Sequence, residues 1–192
     1  MLASAHVCLR HARRLHGGRV AARVQMALTT DAHAFGPHRV QASEVFAETP
    51  LSLGFVNLKP VVPGHVLFVP RRVVHRLCDL HLDELHDLWS LVHACAPALE
   101  AHYGATAMTF AVQDGAAAGQ TVPHVHVHVL PRKAGDFQRN DEVYDAIDDS
   151  ERRLSKDLDT DRVARTPADM AAEAAELRSV CASRVALLLH TS

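Results

Sequence analysis

Large apolar residues alternate with smaller ones in a stretch within the first third of the chain. In LSLGFVNL, residues 51–58, the large apolar side chains are Leu51, Leu53 and Phe55, and a Pro-Gly turn then leads into the apolar sequence HVLFVP. Alternation with a period of two is typical of a strand with one buried face, and a Pro-Gly pair marks a turn. The pattern therefore predicts a hairpin whose strands lie near residues 51–58 and 65–69.

A helical periodicity follows the hairpin. Between residues 82 and 102 the chain is rich in Asp, Glu and His, and its apolar residues recur every three or four positions. These residues are Leu85, Leu88, Val92, Ala96 and Leu99. The spacing predicts one amphipathic helix. Because proline lacks an N–H group, we expect Pro97 to kink or weaken the last part of this helix.

The period of two returns in the second half of the chain. The sequence AMTFAVQDG, residues 107–115, alternates and ends in a turn signal, and the small residues of AAAGQTVP predict a loop. The next stretch, HVHVHVL at residues 124–130, alternates histidine with valine. We expect a late, central strand that directs its valines into the core and its histidines to the opposite face.

The last part of the chain predicts a loop and a second helix. Residues 138–165 are dense in charges of both signs, which indicates a mobile surface loop. Thr166 is predicted to be the N-cap of a helix, with Pro167 at the first helical position and Asp169 three residues after the cap. The apolar stripe of this helix consists of Met170, Ala174, Leu177 and Cys181. Because the strands come mostly in hairpins, with two helices inserted among them, the predicted class is α+β with an antiparallel sheet.

Length, charge and cysteine spacing narrow the kind of protein. A chain of 192 residues fits one domain with some extra sequence. The formal net charge of -2 at pH 7 offers no general attraction for nucleic acid, and no apolar run is long enough to span a membrane. The four cysteines are widely spaced, which argues against a disulfide framework or a cysteine zinc site. We therefore expect neither nucleic acid nor a membrane as a partner.

The beginning of the chain differs in composition from the rest. Residues 1–30 contain five arginines in an alanine-rich background, and the first acidic residue is Asp31. Three interpretations stay open: a mitochondrial transit segment, a disordered extension, or upstream sequence that precedes a start at Met26. We expect an extension at residues 1–30 and a domain at residues 31–192, located in the cytoplasm unless the extension directs it to mitochondria.

Three histidines, each two residues from the next, can serve several purposes. Strand geometry spaces His124, His126 and His128 by ~6.6 Å in a row of ~13 Å. Two of them could bind one zinc ion, but the third is poorly placed and the stretch holds no fourth ligand. A half-exposed strand face in a histidine-rich chain is a second explanation. The third is nucleophilic catalysis, in which a neutral imidazole attacks phosphorus and its neighbours stabilise the developing charge. Geometry favours His126, the middle residue, as that nucleophile.

The histidine stretch also carries a family resemblance. The sequence HVHVHVLPRK, preceded by GQTVP, resembles the histidine triad (HIT) family of nucleotide hydrolases and transferases, and most closely its fragile histidine triad branch. FVNLKPVVPGHVLFVP, TFAVQDG and DMAAEAAELR are similar to the same branch, so the likeness covers residues 35–180. Transferases of the superfamily typically carry glutamine in place of the third histidine. The presence of His128 therefore favours hydrolysis.

The resemblance implies both a fold and an activity. The fold is a HIT-like α+β fold with a five-stranded antiparallel sheet and two helices, in which the sheet continues across a homodimer. The implied activity is hydrolysis of dinucleoside polyphosphates, preferentially of diadenosine triphosphate to AMP and ADP. By the same resemblance, His126 becomes adenylylated while His124 and His128 flank the α-phosphate. The sequence does not divide the roles of these two neighbours.

Further substrate-binding residues follow from the resemblance alone. Asn57 matches a ribose-binding asparagine, Gln113 a phosphate-contacting glutamine and His65 a histidine that supports the triad. His38 aligns with an N-terminal histidine that contacts substrate, although Pro37 alters its surroundings. The loop that wraps the phosphates matches Gly119, Gln120, Thr121 and Val122. Without the resemblance, each of these would pass as an ordinary turn, strand-end or core residue.

No fixed cofactor or protein metal site is expected, because no carboxylate cluster accompanies the histidines. A divalent cation such as magnesium can accompany the substrate phosphates. Two other functions stay open. One is an adenosine phosphoramidate or adenylate hydrolase of the same superfamily, and the other is a nucleotide-binding signalling module.

Overall fold

A five-stranded antiparallel sheet forms the centre of the structure, a computed structural model that describes residues 32–154 and 164–191. The predicted extension at residues 1–30 and the part of the predicted loop at residues 155–163 lie outside the described residues. A separate two-stranded hairpin, β1 (His33–Phe35) and β2 (His38–Val40), precedes the sheet. The sheet strands are β3 (Val45–Glu48), β4 (Ser52–Val56), β5 (Val66–Pro70), β6 (Ala107–Ala111) and β7 (Val127–Arg132), in the spatial order β3-β4-β5-β7-β6.

The structure confirms the predicted α+β class and the antiparallel sheet. The hairpin expected near residues 51–58 and 65–69 is β4 and β5, whose register pairs Val56 with Val66. The alternating stretch at residues 107–115 forms β6 over its first five residues. The hairpin β1–β2 and the edge strand β3 carried no pattern long enough to predict them.

The strand that carries the histidines is shorter than expected. β7 begins at Val127, so His124 and His126 lie in the segment before it and only His128 belongs to the strand. The strand is an interior one, between β5 and β6, rather than the middle of the five. Pairing stops early because the register of β5 with β7 runs only from Val66–Val129 to Phe68–Val127.

The alternation of valine and histidine separates two faces of the sheet. Val125, Val127 and Val129 are buried in the main core together with residues of the two long helices. The opposite face holds a second apolar cluster, made of Phe35, Val40, Val45, Leu53, Phe55, Leu67, Val69 and Val122. This second face is the one that receives the histidine side chains, because Leu67 pairs with His128 in the register of the sheet.

The two long helices match the predicted segments. Helix α1 (Leu82–His102) continues through Pro97, whose side chain is exposed, so the proline does not end the helix. Helix α3 (Pro167–Thr191) begins as predicted: the N–H group of Asp169 donates to Oγ1 of Thr166 at 3.2 Å. Its predicted stripe of Met170, Ala174, Leu177 and Cys181 is buried against α1 and the sheet.

The segment at residues 138–165, which was expected to be a mobile loop, contains a third helix in addition to the two that were predicted. Helix α2 spans Glu142–Leu154. Its buried positions are Val143, Ala146, Ile147 and Ser150, which have helical spacing and were hidden among many charged residues. Val143 and Ile147 pack against Leu130 and Val62 on the histidine face of the sheet. Burial of this narrow apolar stripe explains why a charge-rich segment folds.

Within the described residues, no helix has both the length and the apolar character that crossing a membrane requires.

The packing of α2 predicts that its apolar stripe holds this helix in place. Ile147→Ala should remove one of the two large apolar contacts and expose the amides of residues 142–150 to faster hydrogen exchange, because partial loss of a buried Ile costs about 2–5 kcal/mol. Tyr144→Ala, on the exposed side of the same helix, is the matched control and should leave exchange unchanged. Equal exchange in both variants would contradict the docking of α2.

Candidate active site

The register of three neighbouring strands brings two predicted site residues next to the histidine row. Asn57 follows the last residue of β4 and His65 precedes the first residue of β5, and these strands end in the pair Val56–Val66. Nδ2 of Asn57 therefore lies 3.4 Å from Nε2 of His65. The same Nε2 lies 3.0 Å from Nδ1 of His128 on β7. Residues far apart in sequence thus converge on one edge of the histidine face.

Hydrogen bonds determine which nitrogen of each ring carries the proton. The N–H group of Val61 donates to Nδ1 of His65 at 3.1 Å, so the proton of a neutral His65 sits on Nε2. That Nε2–H then donates to Nδ1 of His128. A neutral His128 therefore carries its proton on Nε2, where it is a hydrogen-bond donor. The 3.4 Å contact from Asn57 is a close approach rather than a hydrogen bond, because both atoms are donors in this arrangement.

His126 has the opposite tautomer. Its Nδ1 lies 2.7 Å from the carbonyl oxygen of His124, and a carbonyl can only accept, so Nδ1 carries the proton. The lone pair of a neutral His126 is then on Nε2. The rings of His126 and His128 are 4.9 Å apart between centroids at an interplanar angle of 70°. A nucleophilic nitrogen and a donor nitrogen therefore belong to neighbouring rings, as attack on phosphorus requires.

His124 is bonded to the backbone at both ring nitrogens. Its Nδ1 accepts from the N–H group of Gly36 at 3.2 Å, and its Nε2 donates to the carbonyl oxygen of Pro70 at 2.9 Å. Burial lowers the pKa of His124 from 6.5 to about 4, since desolvation disfavours the charged ring. In this arrangement His124 ties the hairpin β1–β2 to the end of β5 and supplies the carbonyl that orients His126. It does not present a ring nitrogen to a phosphate.

The β1–β2 hairpin packs directly on the histidines. The ring of Phe35 is 5.7 Å from that of His124 and 5.4 Å from that of His126 between centroids. The side chains of the three histidines are 0–1% exposed. Such burial strengthens electrostatic interactions by excluding water. It also means that a substrate must displace part of the covering structure to reach Nε2 of His126.

Gln113 lies beyond the end of β6 and is oriented by α2. Its Nε2 donates to Oδ1 of Asp148. Its Oε1 is buried and accepts no hydrogen bond from any described residue. A Cβ atom on Gly119 would lie 2.5 Å from Nε2 of Gln113, and Gly119 has a φ of 92°, so only glycine fits there. Asp148 thus orients the amide that was predicted to contact phosphate, and this bond uses one of the two N–H donors on Nε2.

In the rest of the predicted phosphate loop, side chains are held by hydrogen bonds and apolar packing within the protein. The side chain of Gln120 accepts from the N–H group of Gly115 at 2.8 Å and donates to the carbonyl oxygen of His75 at 3.0 Å. Val122 is 2% exposed and belongs to the apolar cluster of the histidine face. Thr121 is half-buried between them. Binding of phosphate by these residues stays a prediction, and the side chains of Gln120 and Val122 have structural partners.

His38 is the predicted site residue that the structure does not bring to the histidine row. It is exposed on β2, and its ring centroid lies 6.4 Å from that of Phe35. The same Phe35 ring also packs against His124 and His126. The contact of His38 with substrate stays a prediction.

Sequence reasoning missed four groups that shape the site. These are the ring of Phe35, the N–H group of Gly36, the carbonyl of Pro70 and the carboxylate of Asp148. Two of them are backbone groups, which carry no side-chain signal. The helical spacing of α2 could have revealed that Asp148 sits on a docked helix.

Within the described part of the chain, the site has no cluster of metal ligands. Among residues 32–154 and 164–191, no three His, Cys, Asp or Glu side chains come together as they would around a metal ion. Participation of magnesium with the substrate stays a prediction.

Comparison with known proteins identifies the class to which this fold and this histidine row belong. Residues 38–135 match the family model described as HIT domain, so the chain belongs to the histidine triad (HIT) family. Relatives from Arabidopsis thaliana and Caenorhabditis elegans carry the fragile histidine triad name (FHIT and NitFhit), in agreement with the sequence resemblance. A bifunctional bis(5'-adenosyl)-triphosphatase/adenylylsulfatase of Arabidopsis thaliana is 51% identical over 158 residues, which covers 81% of this chain and 88% of that protein. A bis(5'-adenosyl)-triphosphatase of Dictyostelium discoideum is 44% identical, covering 75% and 89%.

Solved structures agree with this placement. A diadenosine triphosphate hydrolase of Plasmodium falciparum, solved with cyclomarin A, has a TM-score of 0.65 at 29% identity and covers 82% of this chain and 88% of that one. The NitFhit protein of C. elegans has a TM-score of 0.64 at 40% identity, covering 79% of this chain and 31% of that one.

The buried, neutral His124 predicts a pH dependence of stability. Between pH 6.5 and about 4 the unfolded chain binds a proton that the folded chain excludes, so the free energy of unfolding rises with pH across this window. His124→Gln should reduce that slope by at most one proton, which is about 1.4 kcal/mol per pH unit. Denaturant unfolding at several pH values measures the slope. His38→Gln, at an exposed position, should keep the wild-type slope, and an unchanged slope in His124→Gln would contradict the buried neutral ring.

Proposed function

We propose that this protein hydrolyses dinucleoside polyphosphates, preferentially diadenosine triphosphate to AMP and ADP, through a covalent adenylyl-histidine on His126. The observation that carries the proposal is the hydrogen bond from Nδ1 of His126 to the carbonyl of His124, which leaves the ring's lone pair on Nε2. The names of two similar proteins, bis(5'-adenosyl)-triphosphatases at 44% and 51% identity, support the substrate.

The proposed reaction has two displacements at phosphorus. Nε2 of His126 attacks the α-phosphorus, so that an N–P bond forms and the bond to the oxygen of departing ADP breaks. Nε2–H of His128 donates a hydrogen bond to an oxygen of the reacting phosphate or of the leaving group, because its tautomer is fixed by His65. Water then attacks the same phosphorus, the N–P bond breaks, and AMP is released with a proton.

The two neighbours of His126 would then act differently. His128 stabilises charge directly through its donor nitrogen. His124 acts through its backbone carbonyl, which fixes the tautomer of His126, while its ring holds the β1–β2 hairpin. No fixed cofactor is part of the proposal, and a divalent cation such as magnesium would arrive with the substrate phosphates.

Replacement of the nucleophile gives the test. In His126→Asn the amide can still donate to the carbonyl of His124, but no nucleophilic nitrogen remains. Turnover of diadenosine triphosphate should fall at least ~10⁴-fold while AMP binding, measured by calorimetry, persists. Chromatography should show AMP and ADP in equal amounts from the wild type, assayed with magnesium and with chelator. His93→Asn, exposed on α1, is the control and should keep full activity.

The other outcomes point to other functions. A clear preference for adenosine phosphoramidate or an adenylate would favour the alternative hydrolase, and the adenylylsulfatase in the name of the Arabidopsis relative gives that alternative specific support. Binding without turnover of any of these would favour the nucleotide-binding signalling module. Loss of binding in His126→Asn would make the ring structural.

The proposal includes a homodimer whose sheet continues across the interface, and β6 is the strand that offers an edge for it. Both β3 and β6 are edge strands, but β3 is buried and packs against α3. β6 is partly exposed along its length, and Phe110 is 45% exposed. An edge strand, paired on one side only and carrying exposed apolar side chains, is suited to pairing with a second copy.

A charge placed on β6 tests the dimer. Phe110→Asp should shift the mass measured by light scattering from dimer to monomer, because the carboxylate would be desolvated in the interface. Tyr144→Asp, at another exposed aromatic residue on α2, should remain dimeric. A monomeric wild type, or a dimer that survives Phe110→Asp, would contradict the interface.

A cytoplasmic location, or a mitochondrial one directed by residues 1–30, is likewise a proposal. Imaging of tagged products that start at Met1 and at Met26 tests it, and identical distributions would count against a transit segment.

A further inference from the structure

A network of charged side chains connects helix α3 to the backbone beside Asn57. The carbonyl of Asn57 lies one residue beyond the end of the β4–β5 ladder, which stops at the pair Val56–Val66. Nε and Nη2 of Arg165 both donate to this carbonyl oxygen, at 3.1 and 2.6 Å. The N–H group of Arg165 also donates to the carbonyl of Leu58 at 3.1 Å. Arg165 therefore replaces the missing strand partner at two successive carbonyls.

Two further residues orient the guanidinium. Glu173 on α3 forms an ion pair with Nη1 of Arg165, and both side chains are 19% exposed. The hydroxyl of Tyr103, at the end of α1, donates to the other oxygen of Glu173 at 2.7 Å. Burial of the phenol together with the Glu173 carboxylate raises the pKa of Tyr103, so it stays a donor. We call Arg165, Glu173 and Tyr103 the Arg165 network.

The backbone held by this network determines where the side chain of Asn57 points. Oδ1 of Asn57 accepts from the N–H group of Lys59 at 2.9 Å, so the amide is oriented by residues 57–59. Asn57 is 5% exposed and approaches His65 from the end of β4. Movement of the carbonyls of Asn57 and Leu58 would therefore turn the amide away from its place beside the histidine row.

His65 has separate supports. Its Nδ1 accepts from the N–H group of Val61 at 3.1 Å, and its own N–H group donates to the carbonyl of Val62 at 3.1 Å. Loss of the Arg165 guanidinium leaves both contacts in place. The effect of Arg165 is thus confined to Asn57, while the tautomers of His65, His128 and His126 are set elsewhere.

We infer that Arg165 is a positioning residue for nucleoside recognition: it sets the affinity of the site for the ribose through Asn57 without contacting the substrate. The inference rests on the proposed function and on the family resemblance, which assigns ribose binding to Asn57. It separates binding from chemistry, since the chemical step depends on histidines that Arg165 does not touch.

The test compares two arginines that both reach from the α3 region to a carbonyl of the β-sheet region. Arg165→Met should raise the KM for diadenosine triphosphate roughly tenfold with kcat within about twofold, because the lost interaction serves binding alone. Arg178→Met is the matched control: Nη2 of Arg178 donates to the carbonyl of Val45 on the edge strand β3, and not to the carbonyl of Asn57 or of Leu58. It can lower the melting temperature but should leave the KM unchanged.

A second readout is specific for the ribose. A site that hydrogen-bonds a hydroxyl group discriminates against a substrate that lacks it. Wild type and Arg178→Met should prefer diadenosine triphosphate over its 2'-deoxyadenosine counterpart, and Arg165→Met should lose most of that preference. Glu173→Gln, which keeps the shape of the side chain and weakens the hold on Arg165, should raise the KM by roughly threefold. It serves as the test variant if Arg165→Met does not fold.

Failure of the inference can be distinguished from failure of the proposed function. If the wild type hydrolyses diadenosine triphosphate and Arg165→Met has an unchanged KM and preference, the inference is overturned and the hydrolase stands. If the wild type does not hydrolyse it, calorimetry with AMP decides: roughly tenfold weaker binding by Arg165→Met than by Arg178→Met supports the inference. Equal binding by both variants, or no AMP binding by the wild type, overturns it. A fall in kcat with an unchanged KM would also overturn it, since Arg165 would then act on the histidines.

Discussion

The hydrogen bond from Nδ1 of His126 to the carbonyl oxygen of His124 is the contact on which the proposed chemistry depends. A neutral imidazole has one lone pair, and this bond places it on Nε2. The neighbouring His128 has the opposite tautomer. Val61 donates to Nδ1 of His65, so Nε2 of His65 carries a proton and donates to Nδ1 of His128. Three similar rings therefore differ in chemistry: His126 offers a nucleophile, His128 offers a donor, and His124 is occupied by backbone groups.

The two-sided packing of the sheet makes this arrangement stable. Valines next to the histidines are buried against α1 and α3, while the opposite face is covered by the β1–β2 hairpin and α2. The positions of His124 and His126 follow from this packing even though β7 starts after them, since Val125 donates to the carbonyl of Val74 and anchors the segment. Burial then gives the histidines a dry environment in which hydrogen bonds to phosphate would be strong. It also requires the covering elements to move when a substrate enters.

The elements that could be predicted from the sequence are those marked by a pattern over neighbouring residues. The periodicity of Leu88 and Leu99 in α1 and the cap at Thr166 predicted both long helices, and the spacing of the histidines singled out His126. The prediction failed at α2, because the apolar stripe of Val143 and Ile147 is narrow and lies among charged residues. It also could not divide the roles of His124 and His128. Those roles depend on the backbone groups of Gly36, Pro70 and Val61, which come within hydrogen-bond distance of the rings of His124 and His65 only after the strands pair.

The central claim concerns protons on imidazole nitrogens, and these can be observed directly. Nitrogen-15 NMR of the histidine side chains in the wild-type protein at neutral pH, with His126 assigned by comparison with His126→Asn, reports the tautomer of each ring. The account predicts a protonated Nδ1 in His126 and a protonated Nε2 in both His128 and His124. A protonated Nε2 in His126 would contradict it, because the lone pair would then be directed at the carbonyl of His124 rather than available for attack.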